Sequence, residues 1–205
     1  MGSAKKSGSE TNFREGNRSL TPIFSLALLA LAVCASAAPV PDDERIPIDL
    51  RRTTLIVEDM DNSLAFYRDA LGLNVVYDNM IRTPRSAATD AEAERALRLV
   101  FLQANDDFIG IIGLIEYVKP RKAPPAQPAK PFSIGSMVFV FNVGDLDARF
   151  AKASQTPGVT VLSEPEPTTY PSYDGTGTIP VRVSVLVDPD GYVIELNQLL
   201  IESVR

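Results

Sequence analysis

The sequence predicts an α+β fold built from two tandem strand–helix–strand–strand–strand modules, and three observations predict it. The first is internal repetition. Arg52-Thr-Thr-Leu-Ile-Val-Glu-Asp59 and Val138-Phe-Val-Phe-Asn-Val-Gly-Asp145 each place an apolar strand before an aspartate and a helix-like run, with the two aspartates 86 residues apart. The second is phase: Ile111-Ile-Gly113-Leu114 and Val193-Ile-Glu195-Leu196 close the copies, and Gly113 and Glu195 lie 82 apart. A repeated unit that cannot bury its own sheet face pairs with its neighbour around a shared core. The third is periodicity, which switches in each copy from strand-like to helical and back.

In the first module (residues 50–118), Thr53–Val57 is a β-branched apolar run suited to a strand. Asp59 or Asp61 can cap a helix over Asn62–Leu71, whose Leu64, Phe66, Tyr67, Ala70 and Leu71 face a sheet while Arg68 and Asp69 face water. Gly72 stands where a helix end favours a left-handed residue. Strands are expected over Asn74–Tyr77, Leu97–Leu102 and Phe108–Tyr117, with a polar loop from Pro84 to Glu94. Lys119–Pro131 holds five prolines and forms an extended linker.

The second module (residues 134–200) is expected to run from strand Met137–Val143 through a helix from Leu146 to Ser154. Strands Val159–Leu162, Val181–Val187 and Tyr192–Asn197 follow. Glu164–Pro180 is expected to be a long loop of the kind that covers a ligand, and Asp188-Pro-Asp-Gly191 a β-turn.

The N-terminal 37 residues are set apart. Lys5, Lys6, Arg14 and Arg18 precede an uncharged run from Ile23 to Val33 and a small-residue site at Ala35-Ser36-Ala37, the pattern of a signal peptide. Export to the periplasm or medium is therefore expected, with residues 38–49 as an extended leader. Leu31-Ala32-Val33-Cys34 resembles a lipoprotein box, although valine replaces the usual small residue before the cysteine. A membrane anchor is expected only if Cys34 is lipidated.

Past residue 37, 16 basic residues stand against 24 acidic ones, a net charge of −8. An acidic chain without a basic cluster or interleaved aromatics is a poor partner for nucleic acid. The chain holds no histidine and one cysteine. That excludes a serine–histidine couple and, after cleavage at Ala37, any thiolate site. Gly175-Thr-Gly177 matches no nucleotide-binding loop.

Leu55-Ile-Val-Glu-Asp-Met-Asp-Asn-Ser-Leu-Ala-Phe-Tyr-Arg-Asp-Ala-Leu-Gly72 and Val187-Asp-Pro-Asp-Gly-Tyr-Val-Ile-Glu-Leu196 together resemble the vicinal oxygen chelate superfamily. This group includes glyoxalase I, the bleomycin-resistance proteins and the extradiol dioxygenases. The resemblance spans residues 50–200 and implies paired modules forming a half-open sheet around a cleft. In the family's enzymes a divalent metal is held by four strands, and those positions fall here at Arg52, Gly113, Val138 and Glu195. Arginine is a fixed cation, and glycine and valine offer no donor, so three of the four are unsuited to a divalent ion. Glu116, three residues past Gly113, points to the opposite sheet face. No metal or other cofactor is expected.

The resemblance then implies a metal-independent protein that binds a small organic ligand in its cleft, and it is compatible with a homodimer. Arg52 and Glu195 are candidate ligand-binding residues; alternatively, they form a structural guanidinium–carboxylate pair. Arg98 and Arg182, in strands, line the cleft or face solvent, and Tyr170 and Tyr173 are placed to cover a ligand from the long loop. The alternative function is a glyoxalase-type lyase or isomerase with Glu195 as catalytic acid/base and Arg52 stabilising an enolate.

Overall fold

The computed structural model describes residues 40–125, 130–172 and 175–200. The expected signal segment, Cys34 and Tyr173 lie outside them. The first module contains β1 (Arg52–Val57), α1 (Met60–Leu64), which widens into a π-helical stretch over Ala65–Ala70, β2 (Asn74–Thr83), β3 (Arg95–Gln103) and β4 (Ile111–Lys119). The second contains β5 (Val138–Asn142), α2 (Leu146–Ala153), β6 (Thr160–Pro171), β7 (Thr178–Val187) and β8 (Val193–Leu199). Each module forms one four-stranded sheet, ordered β1-β4-β3-β2 and β5-β8-β7-β6, with one parallel pair in each (β1 with β4, β5 with β8). The βαβββ order expected from the sequence is the order observed.

Asp59 and Asp145 both cap helices, their Oδ1 atoms accepting from the amides of Asn62 and Ala148 at 3.0 Å. The first helix departs from the simple α-helix expected. Leu71 N donates to Phe66 O at 3.0 Å, five residues back, and this wider turn carries Phe66, Tyr67 and Ala70 into the interior together. On an ideal α-helix the adjacent Phe66 and Tyr67 would diverge by about 100°, yet both are fully buried.

The long loop expected over Glu164–Pro180 is largely a hairpin: Thr168, Thr169 and Tyr170 pair with Val181, Pro180 and Ile179. Register shifts between Val161 and Glu166 accommodate the proline at 165, and β6 is an edge strand, where a missing amide donor is tolerated. Hence Tyr170 sits on a strand.

The modules share one core. Leu55, Val57, Leu64, Phe66 and Tyr67 of the first belong to the same buried cluster as Leu146, Leu186, Ile194 and Leu196 of the second. At Gly72 (φ +84°), the Arg149 guanidinium from α2 lies where a Cβ would stand 2.6 Å from Nη1, and Nη1 donates to Ala70 O at 3.3 Å. Glycine there serves both the left-handed turn and this close approach. Asn62 Nδ2 returns the contact to Pro157 O at 3.1 Å.

Candidate ligand-binding site

Strand register fixes which side chains share a face. Arg52, Thr54 and Ile56 on β1 lie beside Ile111, Gly113 and Ile115 on β4, while Leu55 and Val57 point to the helix side. Phe101 on β3 is beside Gly113, and Tyr77 on β2 is beside Phe101. On this open face the Arg52 guanidinium stacks 4.1 Å above the Phe101 ring, and Phe101 stacks on Tyr77 with centroids 4.8 Å apart. Arg52 Nε also donates to Thr54 Oγ1 at 3.2 Å.

Gly113 makes this possible. A Cβ there would lie 2.7 Å from Thr54 Oγ1 and 3.2 Å from Arg52 Cδ. One position that the resemblance assigns to a metal ligand is thus the gap through which the residue at another crosses its neighbouring strand. Among the described residues Arg52 has no carboxylate within ion-pair distance.

The second sheet carries Glu195 between Val140 on β5 and Val185 on β7. Its Oε1 accepts from Tyr170 Oη at 3.1 Å and from Asn197 Nδ2 at 3.0 Å. Burial, then the charge and hydrogen bond of Glu195, raise the Tyr170 hydroxyl above its ordinary range. Asn197 is buried, and its Oδ1 has no partner among the described residues. Sequence reasoning missed Asn197; its place two residues after Glu195, on the same strand face, was the available signal. The pairing of Glu195 with Arg52 considered above does not form: each makes other contacts.

Arg98 and Arg182 are a correction. Both point to the helix side and hold the first turn of a helix. Arg98 bridges Asp61 (2.8 Å) and Asp78 (2.7 Å), and Arg182 takes Asp147 through both terminal nitrogens at 2.8 Å. Each is the third-strand arginine of its module, gripping the second residue past the capping aspartate. They serve the two-module fold and line neither open face. Glu116 also lies on the helix side, accepting from Met60 N at 3.4 Å.

A further concave space lies elsewhere, at the module junction. A cavity of about 680 Å³ is bounded by the end of β1, the proline-rich linker, the start of β5 and the Asp188–Tyr192 turn. Beneath it Asp188 is buried, its Oδ1 accepting from the amides of Asp190 (3.0 Å) and Tyr192 (2.8 Å) and its Oδ2 from Tyr67 Oη (2.7 Å). Burial pushes the Asp188 carboxyl up to about 6 against the lowering effect of those donors. Asp190 is also raised by burial; it accepts from Glu58 N at 2.7 Å and from Ser63 Oγ at 2.8 Å. The turn itself was legible, but nothing in the sequence indicated that its carboxylates reach across the molecule.

The sequence profile of the Glyoxalase/Bleomycin resistance protein/Dioxygenase superfamily matches residues 49–196. The chain belongs to this superfamily. One solved structure supports the fold, and others show similarity alone. A glyoxalase family protein from Bacillus cereus superposes with a TM-score of 0.58 at 16% identity, covering 77% of this chain and 97% of that one. The antibiotic-binding protein TnmS3 from Streptomyces sp. is 20% identical (TM-score 0.45; 76% and 99% covered). The trypanothione-dependent glyoxalase I of Leishmania major is 22% identical (TM-score 0.45; 74% and 86% covered). No curated protein matches the chain.

The donor set does not suit the divalent metal of the superfamily's enzymes. At the four implied positions Glu195 alone offers a ligating side chain, and among the described residues no three His, Cys, Asp or Glu side chains are arranged to hold a metal ion.

Proposed function

We propose that this superfamily member binds a small organic molecule without a divalent metal, using Arg52 and its aromatic bed to recognise a planar, anionic group. The observation that carries this reading is the exposed Arg52 guanidinium, stacked on Phe101 and lacking a carboxylate partner. With Nε held by Thr54 Oγ1 and Cζ over the Phe101 ring, the two terminal nitrogens remain to donate to a carboxylate or phosphate, and the adjacent ring offers a stacking surface. Glu195 supplies an acceptor on the second open face, oriented from below by the buried Asn197 amide. Exposed Ile56, Val138 and Val140 support pairing of two copies across these faces, and the basic and apolar N-terminal pattern supports export.

The test is calorimetric titration of the metal-stripped protein with 2-naphthoate, beside the Arg52→Gln variant. The expected result is binding that weakens at least about tenfold on losing the bidentate charge contact; equal affinity in the two proteins would contradict it. A lyase or isomerase reading draws on Glu195 Oε2, to which no described residue donates. It requires turnover that Glu195→Gln abolishes while ligand binding persists.

A further inference from the structure

We propose that the cavity at the module junction is a second ligand site, distinct from the Arg52–Phe101 stack and from Glu195, and that it takes an organic cation: an amine carried on an apolar body. At about 680 Å³ it has the volume of a small-molecule site. Ile56, Pro125, Met137 and Tyr192 give it apolar walls. Its charged groups are unbalanced, with Glu58 at the exposed rim and Asp190 and Asp188 deeper, against Lys122 alone.

None of these three carboxylates has a cationic partner among the described residues. Lys122 does not fill that role, since its ammonium lies 4.0 Å over the Tyr117 ring. Asp188 and Asp190 are instead held by hydroxyl and amide donors, which orient them without neutralising them. Buried negative charge without counter-charge is costly, and a bound ammonium near Glu58 and Asp190 would relieve it. An anion entering the same space would meet the Glu58 and Asp190 carboxylates, with Asp188 buried beneath them.

The experiment titrates the whole chain with 2-naphthylmethylamine and, as a size-matched anion, 2-naphthoate, following heat and the backbone amide shifts of Met137, Gly191 and Tyr192. The amine is expected to bind once per chain and move these amides, while naphthoate leaves them in place. Glu58→Gln removes a rim charge without touching the core and should weaken the amine on the order of tenfold. Met137→Trp, at a half-exposed wall position, should block it. Arg52→Gln should leave the amine affinity unchanged, so this site stands or falls independently of the naphthoate site. Equal movement of these amides by naphthoate, or an amine affinity unaltered in both Glu58→Gln and Met137→Trp, would overturn the proposal.

Discussion

The Tyr67 hydroxyl donates to Asp188 Oδ2 at 2.7 Å, tying the helix of the first module to the closing turn of the second. Both residues are buried, so the bond is shielded from water. Burial first, and then the Asp188 charge, hold the Tyr67 hydroxyl well above its ordinary value, so it remains a donor. Replacing Tyr67 with Phe leaves a buried carboxylate short of one donor. The expected cost is about 1–3 kcal/mol, greater at pH 7.5 than at pH 5 because the ionised carboxylate needs the donor more. Urea unfolding at the two pH values checks this; a pH-independent loss would contradict it.

Asp188 also gives stability a pH dependence of unusual sign. Its folded value of about 6 lies above the ordinary 3.8. The stability linked to it is therefore fully present below about pH 4 and is lost as pH rises through about 6, on the order of 2–3 kcal/mol in all. Asp78, held low by Arg98, acts in the opposite direction below pH 4, so the contrast with a variant is the cleaner readout. Asp188→Asn keeps an acceptor for the turn amides and cannot ionise. Its melting temperature should gain on the parent as pH rises from 5 to 7.5. Parallel pH profiles would show that Asp188 titrates as it does in an unfolded chain.

Gly113→Ala places a methyl against Thr54 Oγ1 and the Arg52 stem. Overpacking of this kind costs about 1–3 kcal/mol, and it should also lift Arg52 from Phe101. The variant is expected to lose both melting temperature and naphthoate affinity. A loss of stability with unchanged affinity would separate the stack from ligand recognition.

Much of this architecture was legible because the periodicities of strand and helix, two aspartate caps and a recurring element order all agree. What the sequence could not convey was contact at a distance. Arg98 and Arg182 look like cleft residues when each strand is taken alone, and only strand register shows that they share the helix side with Asp61 and Asp147. The prolines of Glu164–Pro171 suggest a loop, because their tolerance depends on β6 being an edge. Phe66 and Tyr67 were legible as core residues, but burying both required a wider helical turn. Resemblance alone singled out Arg52 and Glu195, and strand register places each on an open face. Their partners, Phe101 through the gap at Gly113 and Tyr170 with Asn197, depend on packing across strands.

Arg98 and Arg182 provide a control. Arg98→Met should cost less than about 1 kcal/mol, as expected for a solvent-facing ion pair, with naphthoate affinity unchanged. Arg182→Met, paired to one carboxylate instead of two, should lower the melting temperature less. A change in ligand affinity in either variant would return that arginine to the site.

Metal content tests the central claim most directly. Residues 38–205 are incubated with zinc, nickel, manganese and ferrous iron, desalted, and analysed for bound metal per chain. A site rebuilt around Arg52, Gly113 and Val138 predicts no stoichiometric metal and naphthoate binding unaltered by chelator. One tightly held ion per chain, lost in Glu195→Gln, would contradict it.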